Sequence, residues 1–267
     1  MWTGSVRPGA VLAAALALFL ALPSCAASSA VSAIFNDIYE HKRWSPAGGG
    51  SGEGSTLAYT VGARHILDEV VQANNITTIG DVPCGSFHRM STFMHENPQI
   101  DYTGVDIVDL GLAKTHKDDP NLHFIQGDIS VVPLPSVDLI LSRDALQHLP
   151  FSIIRGTLRN IQKADPKFFL VGSYPEAGQN NTDIPIGSYF KIDLRRQPFS
   201  LGEPMEDYPE HTVRLPRHTP GCRRRVLTPF PSYRRSSSQP DAKHLYLYSQ
   251  AQIRAWKLPK QLRKALS

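Results

Sequence analysis

The chain has 267 residues, 28 Lys and Arg against 24 Asp and Glu, and a formal net charge of +4. A charge this small, with no stretch in which aromatic residues interleave with a basic stripe, does not argue for nucleic acid. Of the three cysteines one falls in the leader described next, and Cys84 and Cys222 alone are no disulfide framework; no CxxC, HExxH or paired-His spacing indicates zinc.

Residues 1–30 are set apart from the fold. Arg7 precedes an unbroken apolar run, Ala10 to Leu22, followed by Pro23 and small residues as far as Ala30. That is the pattern of a signal peptide cleaved near Ala27 or Ala30, and the run is short for a membrane span of ~20 residues. An uncleaved signal anchor with a lumenal domain, and a lipoprotein through Cys25, are the other readings, so membrane contact is expected only if the leader stays. The sequons Asn75-Ile76-Thr77 and Asn180-Asn181-Thr182 agree with a secretory route. About 240 residues then remain, enough for one α/β domain with a full core.

From Val31 the spacing of Ile34, Phe35, Ile38 and Tyr39 is helical, and the chain runs into RWSPAGGGSGEGSTLAYT. Glycine at this density marks either a flexible connection or a loop that closes over a ligand with Trp44 as an apolar contact. Residues 31–62 are therefore expected as a helix and a Gly-rich loop, and 63–213 as the core. In Ala63–Ala73, Ile66, Leu67, Val70 and Val71 mark one helical face. Strands are then expected at Ile76–Asp81, Ile100–Asp106, Leu122–Ile125, Val137–Ser142 and Phe168–Ser173. Helices are expected at Phe87–Glu96, Val108–Thr115 and Pro150–Gln162. That alternation predicts βαβ units and a parallel, doubly wound Rossmann-like sheet in a single domain. The mixed, Pro-containing stretch around 180–204 reads as a long loop, functional or disordered. Residues 214–240, dense in Arg, Pro and Ser, read as a disordered insertion or as a basic contact to acidic glycan or phospholipid headgroups. His244–Tyr248 resumes strand character, and the basic tail within 241–267 ends the chain.

Ligands of open α/β sheets bind at the carboxyl ends of the strands. Asp81, Asp106, Asp128 and Asp144 each lie at or just past the end of an apolar run, and right-handed crossovers place them on one rim. The first turn, DVPCGSF, departs from the acid-x-G-x-G-x-G pattern: its three glycine positions hold Pro83, Gly85 and Phe87. The rim suits a ligand with ribose hydroxyls, an amino group and a sulfonium.

DVPCGSF, GVDIVD, the D-I pair Asp128-Ile129 and RDALQHL together resemble class I S-adenosylmethionine-dependent methyltransferases, in a subgroup with a D-x-P-C-G-x-F first motif. The resemblance extends to S-G-x-G-S (Ser51, Gly52, Gly54, Ser55) and to NTDIPIGSYFKIDLRRQPFSLGEP, and covers roughly Phe35 to Pro204. It implies S-adenosylmethionine as cofactor, with Asp81 and Gly85 at the methionine end and Pro83, Phe87 and Ile107 among the cofactor-binding residues. Asp106 would serve the ribose, Asp128 the adenine amino group, and Ile129 the ring face. It also implies that the last strand is antiparallel.

Methyl transfer to an alcohol needs positioned reactants and a base. Asp144 and His148 are the candidates: His titrates near neutral pH, and Asp144 would orient it or bind the acceptor hydroxyl. His148 packed at a helix start is the competing reading. Arg143 is counted with the cofactor residues, although an ion pair with Asp144 or a contact to an acidic acceptor serves equally. Trp44, Tyr189 and Lys191 are the expected acceptor contacts. The expected activity is O-methylation of a sugar or glycan hydroxyl in the secretory pathway, with no metal. A small-molecule or protein methyltransferase, and a binding module that has lost turnover, are the alternatives.

Overall fold

The computed structural model describes residues 28–46, 50–175, 180–210 and 243–257. The leader before residue 28 and the Arg/Pro/Ser-rich stretch 214–240 lie outside the described residues. Helix α1 spans residues 28–40, so it takes in the end of the segment expected to be leader. After a short 3-10 turn come α2 (Val61–Ala73), β1 (Thr78–Asp81), α3 (His88–Glu96), β2 (Asp101–Asp106), α4 (Leu112–Thr115) and β3 (Leu122–Gln126). Then follow β4 (Leu139–Ser142), α5 (Phe151–Ala164), β5 (Phe168–Ser173), β6 (Glu206–Pro209), β7 (His244–Ser249) and α6 (Gln250–Ala255).

The seven strands lie in the order β3-β2-β1-β4-β5-β7-β6. Strands β1 to β5 run parallel, and β7 enters antiparallel to β5 and carries β6 antiparallel on its other side. Chain order reverses between β1 and β4, so the carboxyl ends of β1, β2 and β4 face one crevice, the place where such sheets bind ligands. The inner strands are apolar on both faces because helices cover both: all four residues of β4, LILS, are buried.

Two clusters fill the layers. On one face Ile154, Leu158 and Ile161 of α5 pack with Phe169, Tyr246 and Tyr248. On the other, Leu67 and Val70 of α2 and Met90 and Phe93 of α3 cover Ile79, Leu139 and Leu170. Each such side chain contributes about 1.5–3 kcal/mol on burial. Cys84 is buried beneath the first turn, and β2 makes room for it with Gly104, where a Cβ would lie 2.9 Å from Cys84 Sγ.

Three expectations change. Helix α4 starts at Leu112 instead of Val108, because Asp106 and Asp109 take the backbone N–H groups of Val108 and Gly111 into tight turns. The stretch 180–205 has no helix or strand, yet it is packed: Ile192, Leu194, Phe199 and Leu201 join the core, and the Asn181 amide donates to the carbonyls of Asp193 and Gln197 at 2.8 Å. Strand β6 was not foreseen, since EDYP shows no apolar alternation and is half exposed. Among the described residues no helix is long and apolar enough to cross a membrane.

Candidate active site

A cleft of about 740 Å³, its mouth included, opens over the carboxyl ends of β1, β2 and β4. That size suits a nucleoside-sized ligand.

Its floor is the turn after β1. Cys84 N–H donates to Val105 O at 3.0 Å, and Gly85 N–H donates to Asp106 Oδ2 at 2.8 Å, which fixes the turn to the end of β2. Gly85 has φ +58°, and a Cβ there would stand 3.0 Å from Ser51 Oγ and 3.3 Å from the Tyr39 hydroxyl. Ser51 accepts from Ser86 N–H at 3.1 Å and shares a 2.8 Å hydrogen bond with Tyr39. The Gly-rich loop is thus bonded onto the turn as part of the site, and of the three positions that the looser pattern gives to glycine, Gly85 is the one this contact requires. Pro83 lines the cleft.

Two residues assigned to the cofactor lie elsewhere. Asp81 is fully buried behind the wall, held by Arg89 Nη2 at 2.9 and 3.0 Å and by the Tyr102 hydroxyl at 3.1 Å. Phe87 caps α3 in the left-handed conformation and packs its ring on Tyr102 and Phe124, 5.1 Å from each. The first is a structural anchor and the second a core residue. Arg89, by contrast, lines the cleft.

Asp106 ends β2, with Oδ1 accepting from Val108 N–H at 3.0 Å and Oδ2 from Gly85. Burial, only partly offset by these donors, pushes its carboxyl up to about 6. Ile107 and Ile129 line the cleft beside it. Asp128 turns its Oδ1 to Ser130 N–H at 2.9 Å, and its Oδ2 accepts from Ser28 Oγ of α1 at 3.0 Å. Helix α1 closes this end with Val31, Phe35 and Tyr39. The fit to S-adenosylmethionine follows from the donor set: a buried carboxylate for hydroxyls, apolar residues about a ring, a further carboxylate for an amino group.

Beyond β4 the chemistry differs. Arg143, 3% exposed, gives Nε to Glu210 Oε2 at 3.0 Å, Nη2 to Glu210 Oε1 and Nη1 to Gly54 O at 2.8 Å. Arg143 lines the cleft, and the donors named here go to protein, so it acts as a clamp joining β4, the Gly-rich loop and the end of β6. Asp144, with φ +55°, places Oδ1 2.5 Å from Lys243 Nζ and 2.9 Å from the Gln147 amide. Burial raises its carboxyl, but Arg143 and Lys243 outweigh this and hold it well below the usual carboxylate range. A carboxylate so acidic takes no proton near neutral pH, so Asp144 is withdrawn as a base.

His148 remains. Its Nδ1 lies 2.8 Å from Ser188 O, a carbonyl that can only accept, so Nδ1 carries the proton and Nε2 the lone pair. Burial lowers its pKa, which keeps the ring neutral. Trp44 stacks on it at 4.4 Å and 29°, and donates Nε1–H to Gly187 O at 3.3 Å. Both rings line the cleft. Tyr189 and Lys191 do not. Tyr189 is half exposed with its ring 5.5 Å from His148, outside the cleft wall, and Lys191 is exposed. The backbone around them is pinned by Gly187 N–H to His148 O and Phe190 N–H to Gln147 O. Among the described residues no group of three or more His, Cys, Asp or Glu could hold a metal.

Residues that the sequence did not single out include Tyr39, Arg89, Glu210 and Lys243. The S-G-x-G-S segment pointed to the loop that brings Ser51 in; nothing marked Glu210 and Lys243, which meet only through the β6–β7 pairing.

Residues 81–164 match a family model described as a methyltransferase domain. No curated protein matches the chain. Among solved structures, the methyltransferase domain of bacterial CtHen1 is 13% identical, with 44% of this chain and 67% of that one covered and a TM-score of 0.39. TehB from Haemophilus influenzae is 15% identical over 59% of this chain and 57% of that one, with a TM-score of 0.43. Human N-acetylserotonin methyltransferase, solved with S-adenosylmethionine, is 16% identical over 52% and 48%, with a TM-score of 0.35. The last two likenesses span less than two thirds of those proteins. The domain match lies over the turn, the acids and α5 that build the cleft, so it is in this part that the chain is similar to a methyltransferase domain.

Proposed function

We propose that the protein transfers the methyl group of S-adenosylmethionine to a hydroxyl of a sugar or glycan in the secretory pathway. The observation that carries a hydroxyl acceptor is His148: a neutral imidazole, anchored through Nδ1 and stacked on Trp44, with Nε2 free to take a proton. Bound S-adenosylmethionine supplies a methyl carbon activated by a sulfonium. The chain's residues do the rest. Asp106 holds the ribose hydroxyls, and Ile107 and Ile129 exclude water from the ring. His148 would take the acceptor hydroxyl's proton through Nε2. Asp144, with Arg143, Glu210 and Lys243, holds the turn that leads into His148.

Three features support the glycan and the compartment. The leader pattern comes first. Asn75 and Asn180, the sequon asparagines, are both exposed. Trp44 gives the cleft an aromatic face beside the base, which suits a sugar ring. The test is a panel of acceptors with the purified chain and labelled cofactor: oligosaccharides, small phenols and amines, and proteins. Methyl ether on a sugar, lost in His148→Ala, is the expected product. Turnover confined to amines or proteins would overturn the hydroxyl-acceptor reading.

A further inference from the structure

We propose that Arg89 binds the α-carboxylate of the cofactor's amino-acid arm and so sets its methyl carbon in place. The inference rests on the cofactor reading above and deepens it. Arg89 follows the first turn by one residue of α3, is 8% exposed, and lines the cleft. A guanidinium has five N–H donors. Among the described residues, Nη2 makes the guanidinium's hydrogen bonds, both to Asp81, and Nε is buried without a partner. Donors left unused on a buried cation cost free energy until an acceptor arrives.

Burial lifts the Asp81 carboxyl above the ordinary range in spite of Arg89 and Tyr102. Asp81 and Tyr102 act as a bracket, fixing the guanidinium from behind the wall while its remaining donors stay uncommitted.

The sheet order says which ligand group reaches it. Strand order β3-β2-β1-β4 sets Asp128 after β3, Asp106 at the end of β2 and the Cys84–Gly85 turn after β1. A linear ligand with its ribose on Asp106 and its base toward Asp128 must extend its third part over the turn after β1, where Arg89 is. That third part ends in an α-amino acid, and a planar carboxylate is the acceptor that matches a guanidinium.

The experiment is a calorimetric comparison of three ligands on the intact chain: S-adenosylhomocysteine, its decarboxylated analogue, and 5′-methylthioadenosine. Arg89→Met should weaken S-adenosylhomocysteine roughly 10- to 100-fold while changing the two carboxylate-free ligands by less than about threefold. Arg89→Lys keeps a cation beside Asp81 and guards against misfolding; it should still narrow the preference for S-adenosylhomocysteine over the decarboxylated analogue. An equal loss for all three ligands would make Arg89 merely structural, and an unchanged preference in both variants would overturn the proposal. If the folded wild-type chain binds none of the three, the cofactor reading itself falls, and this inference with it.

Discussion

Asp106 and Asp144 stand at the same edge of the sheet, on the strands flanking β1, and both are nearly enclosed, yet their environments drive them apart. Asp106 accepts from the backbone N–H groups of Gly85 and Val108 and, among the described residues, pairs with no cation, and burial lifts it to about 6. Asp144 sits against Arg143 and Lys243 and stays ionised far into acid. The unpaired carboxylate keeps its remaining lone pairs and part of its desolvation cost for a ligand to relieve. The paired one has given its charge to the fold. One rim thus carries a carboxylate held by backbone donors on the β1–β3 side and one braced by cations on the β4–β7 side, and residue type alone does not separate them. The linkage signs are opposite too. Asp106, its folded pKa raised, favours the folded state fully below its unfolded pKa near ~4 and loses that as pH rises through about 6. Asp144, its pKa depressed, contributes stability above ~4 that is lost as pH falls through its folded value.

The largest expected effect sharpens the acceptor half. His148→Ala should lower kcat by about 10²- to 10⁴-fold while leaving S-adenosylhomocysteine affinity unchanged, as measured by steady-state kinetics beside calorimetry. A comparable loss of cofactor affinity would show that the two halves are not separable. Next, Glu210→Gln strips the clamp from Arg143 and should destabilise the fold by about 3–5 kcal/mol in urea unfolding. A change under ~1 kcal/mol would mean that the buried cluster does not brace the site.

The parallel strands, their helices and the rim of acids were legible because β-branched and aliphatic runs bounded by Asp, Gly and Pro leave few alternatives. Phe168–Ser173 came out with its observed bounds, since nothing polar interrupts it before Ser173. What failed was of two kinds. Asp81 and Phe87 occupy motif positions, but whether they face the cleft depends on Arg89, Tyr102 and Phe124, whose contacts are tertiary. Glu210 and Lys243 carry no motif at all and reach Arg143 and Asp144 only because β6 and β7 pair at that edge. Asp144 was named beside His148 to orient it or to bind the acceptor hydroxyl; the cations that hold its carboxylate were invisible until the sheet brought them together. Burial in the 180–205 stretch was equally hidden, as its apolar residues follow no period.

Two smaller effects probe the comparison from the cofactor side and the mouth. Hydroxyl donors prefer the ionised Asp106, so S-adenosylhomocysteine affinity should rise with pH through about 6 and level off above it. Between pH 5 and pH 7 the gain for a single titrating group is at most about tenfold, and calorimetry at stepped pH reads it. A flat profile would place Asp106 out of contact with the ligand. Trp44→Ala removes an aromatic face from the acceptor mouth and should raise the acceptor KM by roughly 2- to 10-fold with cofactor affinity intact. Loss of folding instead would assign Trp44 to the packing of α1 on the core.

The most direct test of a cofactor site built on Asp106 is calorimetric titration of the folded chain with S-adenosylhomocysteine, alongside Asp106→Ala. Binding of micromolar strength, of about −8 kcal/mol, that vanishes in the variant is the predicted result. Equal binding by both proteins, or none by a demonstrably folded wild type, would contradict it.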